Sequence, residues 1–340
     1  MLIIRLALKI INAVCALLLA LAFVSVYIYP AFIPYVNAIG LLLPVLLVIN
    51  VFFIVLWILC KDMYFLYSVF AILVGWGQWT GVFALGEDKD TSDKPTLRLM
   101  TYNVMSFYGE SGISASQVAT SVNNTLDVYA PDVICFQEYR SVPSIDLSDW
   151  KYSYRDKNVA LFSRYPIIGR GTLSFDDTLN NAVYADIEIP DHKTIRVYCV
   201  HLESLEIKAQ EVEALSSSQD LSRDVKGLWG RLNSGFITQG SQVKKIQESI
   251  NTTPYPVIVA GDFNNTPFSY SYHSILSGGM KDAYRSAGTG IGATFRDIKY
   301  PLRIDHIMVD GDNFGVQSCD VLKKEKSSDH YPVFAVFTLK

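Results

Sequence analysis

The chain opens with three apolar stretches, residues 2–29, 39–59 and 63–85, which carry almost no charge. A helix needs about 20 apolar residues to cross a bilayer, and each stretch reaches that length. A signal peptide does not explain the first stretch, because no small-x-small cleavage site follows it cleanly. The pattern predicts three transmembrane helices and a membrane anchor over residues 1–86.

The pattern changes beyond the anchor. Residues 87–96 are polar and charged and lack apolar periodicity, which indicates a short flexible linker. Residues 97–340 contain short apolar runs typical of buried strands, and a domain of this length can enclose one two-sheet core.

Helical periodicity is present in this domain at residues 203–221 and 239–250. A less regular stretch lies between them and is interpreted as a solvated connection, with a contact to a phosphate or lipid headgroup as the alternative. Its basic and aromatic residues are Arg223, Lys226, Trp229 and Arg231.

Polar motifs stand at the ends of the apolar runs. They are Thr101-Tyr102-Asn103, Gln137-Glu138, His201-Leu202-Glu203, Gly261-Asp262-Phe263-Asn264-Asn265, Arg303-Ile304-Asp305 and Ser328-Asp329-His330. A strand that ends in a carboxylate, amide or imidazole delivers that group to the rim of a sheet, where open α/β folds place their sites. Six such motifs in one chain predict a single active site.

Oxygen ligands dominate these motifs. The side chains concerned are Asn103, Glu138, Asp262, Asn264 and Asp329. Such a set suits a hard cation better than zinc, which prefers cysteine and histidine. The sequence therefore predicts a Mg²⁺ or Mn²⁺ site.

Two imidazoles accompany the oxygen ligands. His201 and His330 can donate or accept a proton or stabilise the charge of a phosphorane, and Asp305 can fix the tautomer of one of them. The chemistry indicated is attack of water on a phosphate ester.

At these residues the chain resembles the metal-dependent endonuclease/exonuclease/phosphatase superfamily, which includes deoxyribonucleases, tyrosyl-DNA phosphodiesterases, neutral sphingomyelinases and inositol polyphosphate phosphatases. The resemblance runs from about Leu97 to the C-terminus and matches all six motifs in order. It implies an α/β fold: a four-layer sandwich of two packed mixed β-sheets flanked by helices.

The resemblance also implies residue roles on the metal side. Glu138 is expected to be the main metal carboxylate, with Asn103 beside it and Asp329 completing the pocket. Asn264 is expected to hold a phosphate oxygen or the metal. Asn158, which precedes a Ser-Arg-Tyr-Pro strand, is expected to bind substrate near the phosphate.

The remaining roles concern proton transfer. Asp262 is expected to orient or deprotonate the attacking water, and His330, partnered by Asp305, to hydrogen-bond the scissile phosphate. His201 stands where deoxyribonuclease-like and sphingomyelinase-like members carry a histidine near the leaving group. Either Asp262 or the His330–Asp305 pair could be the general base.

Other reactive residue types have structural interpretations. His306 adjoins Asp305 in a strand and is expected to pack in the core, while His192 and His273 are expected at the surface. Three cysteines at or beside predicted strands are expected to pack as small apolar residues without a disulfide framework. They are Cys135, Cys199 and Cys319.

Charge limits the partners. The net charge is −4, and no basic cluster longer than Lys323-Lys324 with Lys326 lies near the motifs. A dedicated duplex-DNA binder would normally carry a basic face. The leading hypothesis is therefore a membrane-tethered phosphodiesterase or phosphatase, with a lipid headgroup as one candidate substrate. A membrane-bound nuclease and a non-catalytic binding domain are the alternatives.

The few charges of the anchor predict its orientation. Arg5 and Lys9 begin the first apolar stretch, and Lys61 lies between the second and third. Positive residues favour the cytoplasmic side. Three spans would then place the catalytic domain outside the cytoplasm, on a multi-pass protein of the plasma (inner) membrane.

Overall fold

The computed structural model describes residues 2–81, 83–86, 89–90, 94–109, 112–175, 178, 180–190, 193–207, 221–298 and 300–340. Its α-helices are α1 (Leu2–Ser25), α2 (Leu43–Leu59), α3 (Phe65–Val74), α4 (Ala115–Tyr129), α5 (Leu221–Thr252), α6 (Tyr270–Leu276) and α7 (Ala283–Ala287). Short 3-10 helices cover Val36–Leu42, Trp76–Gly81 and Met105–Phe107. The strands are β1 (Thr96–Asn103), β2 (Val133–Gln137), β3 (Tyr152–Asp156), β4 (Val159–Ser163), β5 (Ile167–Ser174), β6 (Asn181–Ile189), β7 (Lys193–His201), β8 (Val257–Asp262), β9 (Met280–Asp282), β10 (Asp305–Asp310), β11 (Phe314–Val321) and β12 (Val333–Leu339).

Two six-stranded sheets form the centre of the domain. Their strand orders are β11-β12-β1-β2-β4-β3 and β5-β6-β7-β8-β10-β9. Both are mixed, because β1–β2 and β7–β8 are parallel pairs among antiparallel ones. Buried side chains from the facing surfaces, such as Leu99 and Cys135 against Val197 and Ile258, make one core.

Helices cover the outer faces of both sheets. Val122 on α4 packs with Phe136 of the first sheet, and Val243 on α5 packs with Val259 of the second. The predicted fold class is confirmed in its α/β part: two packed mixed sheets lie between helical layers. The buried Cys135, Cys199 and Cys319 are free thiols within it, as expected.

Strand register brings the motif residues together. In the second sheet His201 and Asp305 are both paired with Asp262, one on each side. In the first sheet Asn103 is paired with Gln137, so Glu138 follows at the same edge. Gly261 is needed here, because a Cβ at this position would collide with the Val200 carbonyl group.

The N-terminal region contains two helical segments that are long and apolar enough to cross a membrane, Ile3–Ser25 and Val36–Leu59. The third apolar stretch does not form such a helix, so the prediction of three transmembrane helices is not confirmed. Its α-helix has only 10 residues, a rise of about 15 Å, half of a bilayer core. The α-helix ends at Gly75, and glycines 75, 77 and 81 disfavour its continuation.

Polar contacts tie the third stretch to α1 at both ends. Asp62 pairs with Lys9 at 2.9 Å and with Arg5 at 2.8 Å. Some 16 residues further along the chain, the Gln78 amide donates to the Phe23 carbonyl oxygen at 3.0 Å. The segment containing α3 and the 3-10 helix Trp76–Gly81 therefore runs alongside α1.

The two-sheet domain contacts the end of this helical unit that lies opposite Asp62. The Tyr35 amide donates to Asn233 on α5 at 2.7 Å, and Arg285 donates to the Gly77 carbonyl oxygen at 3.0 Å. Backbones meet at Gly40, where a Cβ would lie 2.5 Å from the Phe268 carbonyl oxygen. The two parts are packed together along this face.

Two further expectations change. His273 was expected at the surface but is only partly exposed, because its ring lies between Tyr27 and Tyr272, 5.4 Å from each centroid. The stretch expected to be irregular is part of α5, a single helix of 32 residues. Its Leu232 and Phe236 pack against Ala38 of the N-terminal unit, and this contact, invisible in the local sequence, stabilises the continuous helix.

Some expectations fall on residues outside the described ranges. These are His192, residues 208–220 and half of the linker. In the described part of the linker, the Asp90 amide donates to the Val316 carbonyl oxygen at 2.7 Å.

Candidate active site

Asn103, at the end of β1, joins the two sheets at the centre of the site. Its side-chain nitrogen donates to Glu138 Oε1 at 3.1 Å and to Asp262 Oδ2 at 3.0 Å. Its side-chain oxygen accepts from the Met105 amide at 3.2 Å, which fixes the orientation of the group. One amide group therefore donates hydrogen bonds to carboxylates from both sheets.

His330 and Asp305 form a buried pair on one flank of Asp262. The His330 Nδ1–H donates to Asp305 Oδ2 at 2.8 Å, and the His330 Nε2 lies 3.8 Å from Asp262 Oδ2. Burial by itself lowers the pKa of His330, but Asp305 and Asp262 outweigh it and raise the pKa to about 10. His330 is consequently a cation at neutral pH.

His201 occupies the other flank. Its Nε2 also lies 3.8 Å from Asp262 Oδ2, but its Nδ1 is 3.4 Å from the amide nitrogen of Asn158. Burial lowers the pKa of His201, so the ring is neutral at neutral pH. With Asn158 donating to Nδ1, the proton of the neutral ring resides on Nε2, facing the centre.

Asn158 reaches this position from the turn between β3 and β4. The turn does not use glycine; Lys157 adopts the left-handed conformation instead, with φ of 49°. The Asn158 Oδ1 is buried and has no hydrogen-bond partner among the described residues. This oxygen is available to a ligand.

The loop after β8 wraps around Asp262. The Asn264 amide donates to Asp262 Oδ1 at 2.7 Å, and its side-chain nitrogen donates to the Leu202 carbonyl oxygen at 2.9 Å. Asn264 is only partly buried, and its Oδ1 is the end of the amide left for substrate. Burial raises the pKa of Asp262, against the lowering effect of His330.

Asp329 lies at the rim of the site. Its Oδ1 accepts from Ser328 Oγ at 3.0 Å, and Ser328 Oγ is 2.8 Å from the Asn103 carbonyl oxygen. Asp329 lines a cleft of about 890 Å³ together with Arg296, Lys323 and Tyr331. The structure thus brings all the predicted site residues to one edge of the two sheets, with Asp329 the most peripheral.

The donor chemistry fits a hard divalent cation. Glu138 is partly exposed beside Asn103, and its Oε2 faces no described hydrogen-bond donor. Potential ligand atoms of Asp262, Asp305 and His330 lie within 4.8 Å of one another. This trio is better understood as an acid–imidazole cluster, because a protonated His330 would repel a cation. Glu138, with Asn103 and Asp329, remains the predicted metal side.

Sequence reasoning missed a supporting residue on α5. Gln239, fully buried, donates to the Glu203 carbonyl oxygen at 2.7 Å and accepts from Asn265 at 2.7 Å. It ties the loop after β7 to the loop after β8. A glutamine on the apolar face of a predicted helix is the signal that could have revealed it.

Thr294 is a second missed residue. Its Oγ accepts from the amides of Ile304 and Asp305, at 3.0 and 3.1 Å, which fixes the start of β10. His306 behaves as expected and packs in the core: its Nε2–H donates to the Asn265 carbonyl oxygen at 2.9 Å, while Arg303 lies 3.3 Å from its Nδ1.

Two stacked mixed sheets with carboxylates, amides and imidazoles gathered at one edge define the structural class. The model of the endonuclease/exonuclease/phosphatase family matches residues 100–330, more than half of the chain. The protein belongs to this family, whose members are hydrolases of phosphate esters, nucleic acids included. Residues 5–82 match a separate family described as a domain of unknown function, DUF8431.

Solved structures support the same fold. The human Nocturnin catalytic domain with bound sulfate is 18% identical, with a TM-score of 0.55 over 72% of this chain and 94% of that one. An endonuclease/exonuclease/phosphatase from Bacteroides vulgatus is 20% identical, with a TM-score of 0.53 over 73% and 100%. TDP2 from D. rerio in complex with single-strand DNA product is 16% identical, with a TM-score of 0.52 over 72% and 99%. No curated protein sequence matches the chain.

Proposed function

We propose that this protein is a divalent-metal-dependent hydrolase of phosphate esters that a membrane anchor holds at the bilayer surface. The observation that carries the proposal is the position of Asp262. Its carboxylate is 3.0 Å from the Asn103 amide and 3.8 Å from each of two imidazoles, His201 and His330. A base, a cationic group and a neutral donor therefore surround one small volume.

Asp262 acts as the general base. Its pKa is raised by burial, which makes the carboxylate a better proton acceptor than an exposed aspartate. It takes a proton from water as the water oxygen attacks phosphorus. His330 cannot serve in this role at neutral pH, because it is already protonated.

His330 instead stabilises negative charge. As the new P–O bond forms, charge builds on the non-bridging oxygens, and a buried imidazolium is well placed to balance it. Asp305 keeps the ring charged and oriented. The bond to the leaving oxygen then breaks, and the neutral His201 donates a hydrogen bond from Nε2 to that oxygen. The leaving oxygen takes a proton from solvent, and Asp262 releases to solvent the proton that it took from water.

Glu138, assisted by Asn103 and Asp329, would hold Mg²⁺ or Mn²⁺. When bound, such a cation polarises the phosphoryl group and neutralises its charge. Asn264 and Asn158 contribute the amide groups that orient the phosphate, since each is partly exposed at the centre.

The N-terminal unit supports attachment to a membrane. Its first two segments are long and apolar enough to span, and large side chains such as Ile10, Val48 and Phe52 are more than 45% exposed. The third stretch follows Asp62, which pairs with Lys9, and reaches Gln78, which contacts Phe23, so its two shorter helices run beside α1 from about Lys9 to Phe23. We therefore retain three crossings in the proposal.

The charges of this unit favour an extracytoplasmic catalytic domain. Arg5, Lys9 and Lys61 lie at the end remote from the domain, and positive residues mark the cytoplasmic end of a span. A reporter fused after Lys340 tests this: alkaline phosphatase should be active and green fluorescent protein dark. The reverse result would place the domain in the cytoplasm and rule out three crossings with the N-terminus inside.

Glu138→Gln tests the chemistry. The full chain, reconstituted in vesicles with Mg²⁺, should hydrolyse bis-p-nitrophenyl phosphate; the variant and EDTA treatment should each abolish turnover, with Mg²⁺ or Mn²⁺ restoring it after EDTA. Glu248→Gln, at an exposed position on α5, is the matched control and should retain full activity. Undiminished turnover in EDTA would refute the mechanism. Plasmid DNA, sphingomyelin and phosphatidylinositol phosphates in the same assay separate a nuclease from a lipid hydrolase.

A further inference from the structure

We infer that the catalytic centre opens into an apolar tunnel that receives the hydrocarbon chain of a membrane lipid. The inference rests on the proposed function and narrows its substrate class to phosphate esters of lipids. Two adjoining cavities carry it, together with the polar cleft that borders them.

The first cavity begins at the loop after β8, which contains Asn264. It has a volume of about 70 Å³, and Asn264 is part of its wall. Most of its other walls are apolar, among them Leu205, Ile207 and Ile304. Leu41 closes it from the N-terminal unit. The proposed site for phosphate therefore borders a space with mostly apolar walls, in which Ser204, Glu206, Asn265 and Thr266 are the other polar residues.

The second cavity continues towards the membrane unit. It has a volume of about 180 Å³ and shares Leu41, Thr266 and Leu302 with the first. Pro44, in the first turn of α2, is part of its wall. The two cavities adjoin at these shared residues, and the proposed tunnel runs through both as one mostly apolar path from Asn264 to a helix that the proposed function places in the bilayer.

The outer end of this path is bordered by exposed apolar side chains. Ile291, which lines the second cavity, is 47% exposed, and Val45, one residue beyond Pro44, is 51% exposed. Contact of these apolar side chains with water is unfavourable, whereas contact with lipid chains is favourable. The most suitable occupant is a hydrocarbon chain that enters from the membrane.

The polar cleft beside these cavities has a different character. The cleft of about 890 Å³ is lined by charged groups, including Arg296, Asp297 and Lys323. Phe295 and Ile298 form part of the wall of both this cleft and the first apolar cavity. A molecule with its phosphate at Asp262 would place a polar headgroup in the cleft and its tail in the tunnel. This polarity matches that of an amphiphile and not that of a nucleic acid.

The joint between the two parts of the protein makes the tunnel possible. Gly40 lies so close to the Phe268 carbonyl oxygen that a Cβ would fall 2.5 Å from it. Leu41, the next residue, is thereby held between the domain and the anchor. The tunnel is a property of the docked full chain, so its test must use that chain.

The test uses p-nitrophenyl alkyl phosphates with methyl, butyl and octyl groups, which share one leaving group. In vesicles with Mg²⁺, kcat/KM should rise with chain length by up to about fourfold per buried methylene. Leu41→Gln should flatten this rise and Leu41→Met should preserve it. Leu42→Gln is the matched control, because Leu42 is the neighbouring residue, 44% exposed, and any effect of partition into the vesicle is the same in both variants.

The outcomes separate the two proposals. Hydrolysis of all three esters with equal kcat/KM, or an equal rise in Leu41→Gln and Leu42→Gln, would overturn the tunnel and leave the hydrolase intact. Absence of hydrolysis would overturn the hydrolase. In that case a second measurement decides the tunnel: a phospholipid with a diazirine at the end of its acyl chain is cross-linked to the full chain in vesicles. Adducts at residues 205–207 or 301–304 support the tunnel, and adducts confined to α1, α2 and α3 exclude it.

Discussion

The two imidazoles that flank Asp262 lie at the same distance from it but differ in charge. His330 and His201 are both buried and both 3.8 Å from the same carboxylate oxygen, Asp262 Oδ2. The pKa of His330 is raised to about 10, while burial lowers that of His201. The two pKa values differ because the Nδ1 atoms have different partners. His330 Nδ1 bonds to the carboxylate of Asp305, and His201 Nδ1 lies beside the amide of Asn158. The outer partner decides which imidazole is charged.

The largest effect should come from the group that both flanks share. Asp262→Asn keeps the shape but removes the base and the charge that faces both rings. We expect kcat to fall about 10³-fold, measured with bis-p-nitrophenyl phosphate under saturating Mg²⁺. A loss of less than tenfold would show that another residue is the general base.

Removing the charge of Asp305, the partner of His330, should abolish the difference in charge between the two imidazoles. In the wild type His330 is protonated, and activity should persist until the pH approaches its pKa of about 10. Asp305→Asn removes a charge that raises this pKa, so the alkaline loss of kcat/KM should begin at lower pH, with a loss of about 10²-fold at pH 9.

A profile of kcat/KM between pH 6 and 10.5 measures this shift. Asp310→Asn provides the control, because Asp310 is at the far end of the same strand. An unchanged alkaline limb in Asp305→Asn would mean that another group titrates there.

The His201 flank should show a smaller and selective effect. A hydrogen bond to the leaving oxygen matters most when that oxygen is a poor leaving group. His201→Ala should therefore lower kcat by about 10²-fold for an alkyl ester and by less than tenfold for a nitrophenyl ester. Equal losses for both esters would remove His201 from the leaving-group position.

The smallest effect concerns stability and a third imidazole. His306 is buried beside Arg303, and burial followed by that cation lowers its pKa to about 4. In the unfolded chain it would titrate at its ordinary value of 6.5. The unfolded state therefore binds more protons between pH 4 and 6.5, and stability should decrease by up to about 3 kcal/mol as the pH falls through that window.

His306→Gln should lose this contribution while keeping a donor for Asn265 and an acceptor for Arg303. Urea midpoints of wild type and variant at pH 7 and at pH 4.5 measure the effect. The variant should lose less stability on acidification than the wild type; equal losses would show that His306 does not titrate in that window.

The sequence predicted the residues at the centre of the site better than the residues that hold them in place. His201, Asp262 and Asp305 each end or begin an apolar strand, and strand register alone aligns them. Gln239 could not be placed, because it arrives from a helix that is distant along the chain. The charge state of His330 was equally out of reach, since it depends on burial and on two carboxylates that fold around it.

The N-terminal region gave a different lesson. The length of the first two apolar stretches predicted α1 and α2, because their uniformly apolar composition favours long helices. Apolar length did not predict the form of residues 63–85, where three glycines disfavour one continuous helix and the structure has two shorter ones. The position of His273 was likewise set by Tyr27, a partner nearly 250 residues away in sequence.

The close backbone contact at Gly40 has a kinetic consequence. A domain on a loose tether would sample the aqueous volume around its anchor, but this domain is seated on its helices at Gly40, Asn233 and Arg285. In the proposed arrangement the mouth of the tunnel would keep a fixed height above the plane of the bilayer. Encounter with a lipid would then be a two-dimensional search, governed by lateral diffusion and surface density instead of bulk concentration.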